Sequence, residues 1–315
     1  MSRTPSSVVV LGMHRSGTSL VTGLLGRLGL FLPSASDLYA PSEFNPRGNQ
    51  EVMELTAMNE RILHALGGEW SAPPLLSSGW LDEPAVAALR EPARAVFDRF
   101  MGTRPWVWKD PRLCLLWPFW QQLLDEQPLM LLVVRNPLET ANSLRRRDDF
   151  DECVSVALWE RYCRGALQAA QGQWVAATTY EAVLEDPDGW ALRAREQLAG
   201  AGLGLPDSER SPPASQFAER SFRRTSHTRD ELATSPWVSG EQLALYDTLC
   251  ALPEVSDPFA GAGDAGPCTA WATALLEERR RGRQAHREAQ RRLHIAQGRT
   301  AGALVRRAVR RLRGR

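Results

Sequence analysis

Residues 12–19 read GMHRSGTS, with Gly12 and Gly17 at phosphate-loop spacing and a closing Ser19. Between a strand and a helix, such a loop turns bare N–H groups toward an anion at the helix N-terminus. Loops that bind ATP or GTP add a lysine after the second glycine for the β/γ-phosphates, and use the closing Ser/Thr for Mg²⁺. Thr18 stands in that lysine's place, so the loop suits a single terminal phosphate, with Arg15 as its internal cation. Arg135 and Ser143 form a second pair, eight residues apart, that fits another phosphate through a bidentate guanidinium and a hydroxyl. An ordinary salt bridge is the alternative for Arg135. The third feature is Lys109, the only lysine among 38 Lys and Arg residues. An ammonium is a compact point charge that a planar guanidinium does not replace. A lysine left by chance on a surface is the other reading.

These residues need a scaffold that brings them together. Residues 8–11 form a β-branched run that ends at Gly12, which predicts a buried strand feeding a turn. Residues 18–28 carry apolar side chains at helical spacing and stop at Gly29. Residues 106–108 predict a second strand, broken by Pro111, and residues 128–137 a third that ends at Arg135. Helices are expected over 138–150 and 151–172. Residues 174–187 predict another strand with a turn-rich exit. Strands apolar on both faces that alternate with helices indicate an α/β fold, with a central parallel sheet covered on both sides.

Composition narrows the class. A chain of 315 residues with 43% hydrophobic content can bury a sizeable core. No apolar run reaches membrane-span length, and the N-terminus does not read as a signal peptide. The five cysteines are scattered without a C-x-x-C pair, which supports neither a zinc site nor a disulfide framework; buried free thiols in a reducing, cytoplasmic compartment are expected. The net charge of +1 conceals an asymmetry: 14 Arg against three Glu from residue 277 onward, and −10 on residues 1–276. The expected organisation is a body at 1–259, a Gly/Ala-rich linker at 260–276 and an Arg-rich amphipathic tail at 277–315.

Taken together the motifs resemble the sulfotransferase family that uses 3′-phosphoadenosine 5′-phosphosulfate (PAPS). GMHRSGTSL resembles the family's 5′-phosphosulfate loop. RNPLETANS resembles its 3′-phosphate motif, with the same Arg-to-Ser spacing. KDP resembles the lysine segment of tyrosylprotein sulfotransferases, and YEAVLEDP a tyrosine-bearing segment of the cytosolic branch. The resemblance covers residues 8 to about 187 and implies a three-layer P-loop-like fold. It further implies that Arg15, Ser16, Gly17, Thr18 and Ser19 cradle the 5′-phosphosulfate and that Arg135 and Ser143 hold the 3′-phosphate. Tyr180 would lie near the adenine, and Lys109 near the sulfuryl group. No metal is expected.

Sulfuryl transfer develops charge on the leaving phosphate oxygen, which Arg15 and Lys109 are suited to stabilise. A base must take the acceptor's hydroxyl proton. Glu51, at the start of a predicted helix, is the first candidate, with Glu43, His14 and Asp110 as rivals; stabilising the helix dipole is an equal reading for Glu51. The cytosolic branch's catalytic histidine has no placed counterpart. Arg223 and Arg224 offer further cations, or a solvated loop. Trp70, Trp80, Trp106, Trp108, Trp117 and Trp120 supply flat surface for an acceptor, although most are expected in the core. The resemblance implies an acceptor hydroxyl on a glycan, lipid or small natural product. A kinase or nucleotide hydrolase with a degenerate loop, and an inactive nucleotide-binding scaffold, remain alternatives. The tail places Leu304, Val305, Ala308, Val309 and Leu312 along one helical face with arginines opposite. That pattern fits peripheral contact with anionic lipid or with an acidic partner, with no specific nucleic acid expected.

Overall fold

A computed structural model of the chain describes residues 4–125, 127–205, 212–219, 223–252 and 265–313; in the last helix, side chains are described to residue 290 and at Arg292. Four short strands form one parallel sheet: β1 (Val8–Leu11), β2 (Val107–Lys109), β3 (Leu129–Val134) and β4 (Val175–Thr179). Their order is β2-β1-β3-β4, so the chain moves one way from β1 to β2 and the other way to β3. The register pairs Val9 with Trp108 on one side and with Met130 on the other.

The helices are α1 (Thr18–Arg27), α2 (Met53–Ala65), α3 (Pro84–Ala87), α4 (Arg90–Met101), α5 (Leu113–Gln121), α6 (Pro137–Asp148), α7 (Glu152–Ala170), α8 (Tyr180–Glu185), α9 (Pro187–Gly200), α10 (Arg229–Thr234), α11 (Gly240–Cys250) and α12 (Ala270–Arg313). Successive strand residues point to opposite faces. Val9, Leu11, Trp108, Met130 and Leu132 enter one core, with α2, α4, α5 and α7. Val8, Val10, Val107, Leu129 and Leu131 enter the other, with α1, α8 and α9. Both faces are covered, as continuous apolar strands require. Each large apolar side chain so buried contributes roughly 1.5–3 kcal/mol.

Two elements differ from the sequence expectation. Only Val175–Thr179 of the segment at 174–187 is strand. Thr179 then caps a new helix, its hydroxyl accepting from the Ala182 N–H at 3.2 Å, and this local bond overrides the extended pattern. The last helix begins at Ala270, before the point where the charge changes sign, and its first turns bury Ala272 and Leu276 in the main core. Buried Glu160 on α7 helps fix this junction: it accepts from Arg164, from Gln242 on α11, and from the N–H and hydroxyl of Thr269, each at 2.8 Å. All five cysteines are free, but Cys114 and Cys163 alone are buried, with Cys250 exposed. No helix among the described residues is long and apolar enough to cross a membrane.

Candidate active site

In a parallel sheet every strand exits on the same edge, and ligands bind there where the strand order reverses. Here that point lies between β1 and β3. The four exits bring together the loop after Leu11, Lys109 at the end of β2, Arg135 just past β3 and Tyr180 just past β4. Together they border a cleft of about 640 Å³.

The loop's shape follows from its residue types. Arg15 and Gly17 adopt left-handed backbone angles, with φ of 69° and 95°. A Cβ on Gly17 would stand 2.2 Å from the Tyr180 ring, so only glycine fits. Ser16 turns inward and donates to the Met13 carbonyl at 2.6 Å. The loop's base is anchored by Cys114, whose sulfur accepts from the Gly12 N–H at 3.2 Å. Burial pushes that thiol up to about 12, so it remains protonated. Ser16 is therefore in the loop but not in the cleft wall, whereas Arg15, Gly17, Thr18 and Ser19 line it.

Lys109 is 3% exposed and donates three hydrogen bonds: to Ser19 Oγ at 3.0 Å, to the Asn49 carbonyl at 3.0 Å and to Glu51 Oε1 at 2.6 Å. The ammonium therefore sits between the loop's closing hydroxyl and a carboxylate. In nucleoside-triphosphate loops that kind of seat belongs to Mg²⁺. Glu51 Oε2 has no protein partner among the described residues.

At the far side Arg15 Nε donates to Ser143 Oγ at 2.9 Å, and Arg15 Nη2 to the Phe44 carbonyl at 2.6 Å. Arg135 Nη1 donates to the Arg15 carbonyl at 2.9 Å, and its guanidinium lies over the Tyr180 ring at 4.3 Å. Arg135 Nε is held by buried Glu139 at 3.0 Å, so the salt-bridge and cleft-lining readings of this arginine are both realised. Burial, with Arg147 and Arg135 nearby, pushes the Arg15 guanidinium down to about 10. Crowded, desolvated cations of this kind are relieved by an anion.

The rival bases divide clearly. Asp110 is fully buried outside the cleft wall: Oδ1 takes Arg112 Nη1 and the Arg112 N–H, and Oδ2 takes Asn59. Glu43 is exposed and outside the wall. His14 lines the cleft, 6% exposed, with its ring 4.4 Å from that of Trp70. Burial first, then Arg112, Arg147, Lys109 and Arg15, holds its imidazole well below 6.5. Its Nε2 is buried without a partner among the described residues.

Of the two late arginines, Arg223 pairs with Glu139 at 2.6 Å and Glu181 at 3.2 Å, while Arg224 reaches the cleft. Of the six tryptophans only Trp70 lines the cleft; the other five are buried in the core. Sequence reasoning missed Arg146, Arg147 and Arg112, which also line it. A signal existed for the first two, since they follow Ser143 at i+3 and i+4 and share its helix face.

No protein-family model and no curated protein matches the chain. Among solved structures, it is similar to a sulfotransferase domain from the curacin biosynthetic pathway, at 14% identity and TM-score 0.41, covering 88% of this chain and 98% of that one. It is also similar to the sulfotransferase domain of the Synechococcus PCC 7002 olefin synthase, at 16% identity and TM-score 0.40, covering 88% and 94%. A sulfotransferase from Mycobacterium tuberculosis H37Rv gives 16% identity and TM-score 0.37, covering 79% and 77%.

Proposed function

We propose that this protein is an enzyme that transfers a sulfuryl group from PAPS to a hydroxyl of an acceptor. The observation that carries this reading is the seat of Lys109. Its ammonium bonds the closing serine of the loop and a carboxylate, where a Mg²⁺–triphosphate site would need the metal. A donor with one 5′-phosphate and a sulfuryl group needs no metal bridge between phosphates. A cation already in place serves it.

The remaining residues fit the same donor. The loop N–H groups and Thr18 and Ser19 at the start of α1 suit the 5′-phosphosulfate. Ser143, Arg15, Arg135, Arg146 and Arg224 form a cationic recess for the 3′-phosphate, and Tyr180 borders the adenosine. In the transition state Lys109 tightens on the oxygen that leaves with the phosphate, while the Arg15 side chain, turned to Ser143, stays with the 3′-phosphate rather than the reacting oxygens. Glu51, through its unpartnered Oε2, receives the acceptor's proton. His14 is a second reading for this base, favoured by its unpartnered Nε2 and neutral ring. Single-turnover rates of Glu51→Gln and His14→Gln separate the two: the base's variant loses about 10²- to 10⁴-fold.

Thermal unfolding with PAP (the desulfonated donor), set against ATP plus Mg²⁺, tests the donor. Ligand at about 100 times its Kd adds roughly 2.7 kcal/mol, a rise of several degrees for a domain of this size. The expected result is a rise with PAP that Arg135→Ala abolishes, and none with ATP. A rise with ATP and Mg²⁺ alone replaces this reading with a kinase-type site.

A further inference from the structure

We infer that Tyr39 receives the acceptor's reacting hydroxyl and orients it against Glu51. This rests on the sulfuryl-transfer reading with Glu51 as base, and it adds the residue that holds the acceptor.

Backbone pairing fixes where Tyr39 stands. Leu38 and Val52 form an antiparallel bridge. It is closed on one side by the Tyr39 N–H, which donates to the Glu51 carbonyl at 3.2 Å, and on the other by the Met53 N–H, which donates to the Asp37 carbonyl at 3.0 Å. In that register Tyr39 lies directly opposite Glu51. Residues paired in this way have Cα atoms ~5.5 Å apart and send their side chains to the same side of the ribbon. Both side chains line the cleft. The candidate base and the phenol are therefore neighbours, although 12 positions separate Glu51 from Tyr39 in the chain.

The two side chains are also in complementary states. Lys109 takes Glu51 Oε1 at 2.6 Å and leaves Oε2 open. The Tyr39 hydroxyl has no hydrogen-bond partner among the described residues, and the residue is 38% exposed, so a ligand in the cleft can reach it. Burial raises the phenol above the ordinary tyrosine range; Arg112 opposes this and Glu51 adds to it. The hydroxyl thus keeps its proton at neutral pH and serves as a donor, which leaves the base's role to the carboxylate.

An alcohol oxygen carries one proton and two lone pairs. With the proton toward Glu51 Oε2 and one lone pair accepting from Tyr39, the other lone pair is free to face sulfur. The O–H bond then breaks to Glu51 as the new O–S bond forms. The bond between sulfur and the bridging oxygen breaks, and its electron pair leaves on the phosphate. Tyr39 keeps its own proton throughout, and its contribution is orientation. Its ring gives apolar surface to the carbons that bear the hydroxyl. The acceptor class is an alcohol or phenol whose carbon body beside the reacting oxygen packs on that ring.

The test uses the full chain and ³⁵S-labelled PAPS, with 2-naphthol and the alcohols of a small-molecule extract as acceptors. Tyr39→Phe removes the hydroxyl and keeps the ring. It should lower the labelling rate at limiting acceptor by about tenfold or more. PAP affinity, measured by calorimetry, should be unchanged. A double-mutant cycle gives a readout that a merely structural role would not move. If Tyr39 and Glu51 act on one hydroxyl, adding Tyr39→Phe to Glu51→Gln costs little further rate. Labelling at the unsubstituted rate in Tyr39→Phe, a matching loss of PAP affinity, or losses that multiply in the double variant overturns the inference. No label on any acceptor from a protein that still binds PAP sinks the sulfuryl-transfer reading itself, and the role of Tyr39 with it.

Discussion

Lys109, Gly17 and His14 each test a different part of the site. Lys109 bridges the loop and Glu51, so in the proposed reaction it would act on the reacting oxygens more than on the nucleotide's anchoring phosphate. Lys109→Ala should lower kcat about 10²- to 10³-fold. PAP affinity, measured by calorimetry, should change by less than about tenfold, a gap of 1.4 kcal/mol. An inactive scaffold would show no turnover to lose. Gly17→Ala should act on the nucleotide instead. Its Cβ would strike the Tyr180 ring at a backbone angle that side chains rarely adopt. The loop must then deform, and PAP binding should weaken by well over tenfold while the core remains folded. His14 makes a prediction about pH. Its folded pKa lies below that of the unfolded chain, so the unfolded state binds the proton first as pH falls. Stability should be at its full value above about pH 6.5 and fall below it, by up to about 1.4 kcal/mol per pH unit. Melting between pH 7 and pH 5 should show a shallower decline in His14→Gln, and parallel curves would mean that the imidazole is not buried neutral.

Elements position these residues, and at this scale the turn after β2 does the most. Asp110 accepts from Asn59 on α2 and from both the backbone and side chain of Arg112, while Trp120 on α5 donates to Asn59 at 2.8 Å. The turn that presents Lys109 is thereby tied to two helices. Asp110→Ala leaves the Arg112 guanidinium with half its partners in a buried setting, and should destabilise the protein by about 3–5 kcal/mol in urea titration. A loss under 1 kcal/mol would show that Asp110 is not needed to hold the turn. The elements that were legible in the sequence are those specified by contiguous signals: the run at 8–11, the glycines at 12 and 17, and the helical spacing from Thr18. The Arg135–Ser143 pair was legible for the same reason, since the exit of β3 and the start of α6 join the two within eight residues of chain. The seat of Lys109 was not, because its partners Glu51 and Ser19 lie 58 and 90 residues away. Nor was the burial of Asp110, since a carboxylate after a strand looks the same in sequence whether it faces a cleft or a helix. The helix after Thr179 was missed because one capping hydroxyl decided the backbone where the apolar pattern was ambiguous.

On the scale of the whole molecule, α12 joins two regions that the sequence separates by charge. Its first half is fastened to the segment that carries Trp70. Arg279 donates to the Ser71 carbonyl at 2.9 Å, Gln284 to the Gly67 carbonyl at 2.5 Å, and Arg283 and Arg287 pair with Glu69. Arg279 also lies over Phe150, the ring that supports Trp70, at 4.4 Å. Beyond them residues 291–315 hold nine arginines and no carboxylate, and their side chains, including the apolar face at 304–312, lie outside the described residues apart from Arg292. The two halves should therefore come apart in a truncation series. A chain ending at Gln290 keeps every contact to 67–71 found among the described residues and should melt within about a degree of the full chain. A chain ending at Leu276 loses them, and at roughly 1 kcal/mol for each net hydrogen bond should melt several degrees lower. Co-sedimentation with vesicles containing anionic lipid then reads the tail itself. If it lies on a membrane surface, the full chain pellets, the chain ending at Gln290 does not, and salt releases the full chain, since each basic residue near the surface contributes about 1 kcal/mol of screened attraction. If the full chain and the one ending at Gln290 pellet equally, the arginines do not serve lipid binding. An acidic protein surface is then the remaining partner for a helix whose root is already fastened to the segment that carries Trp70.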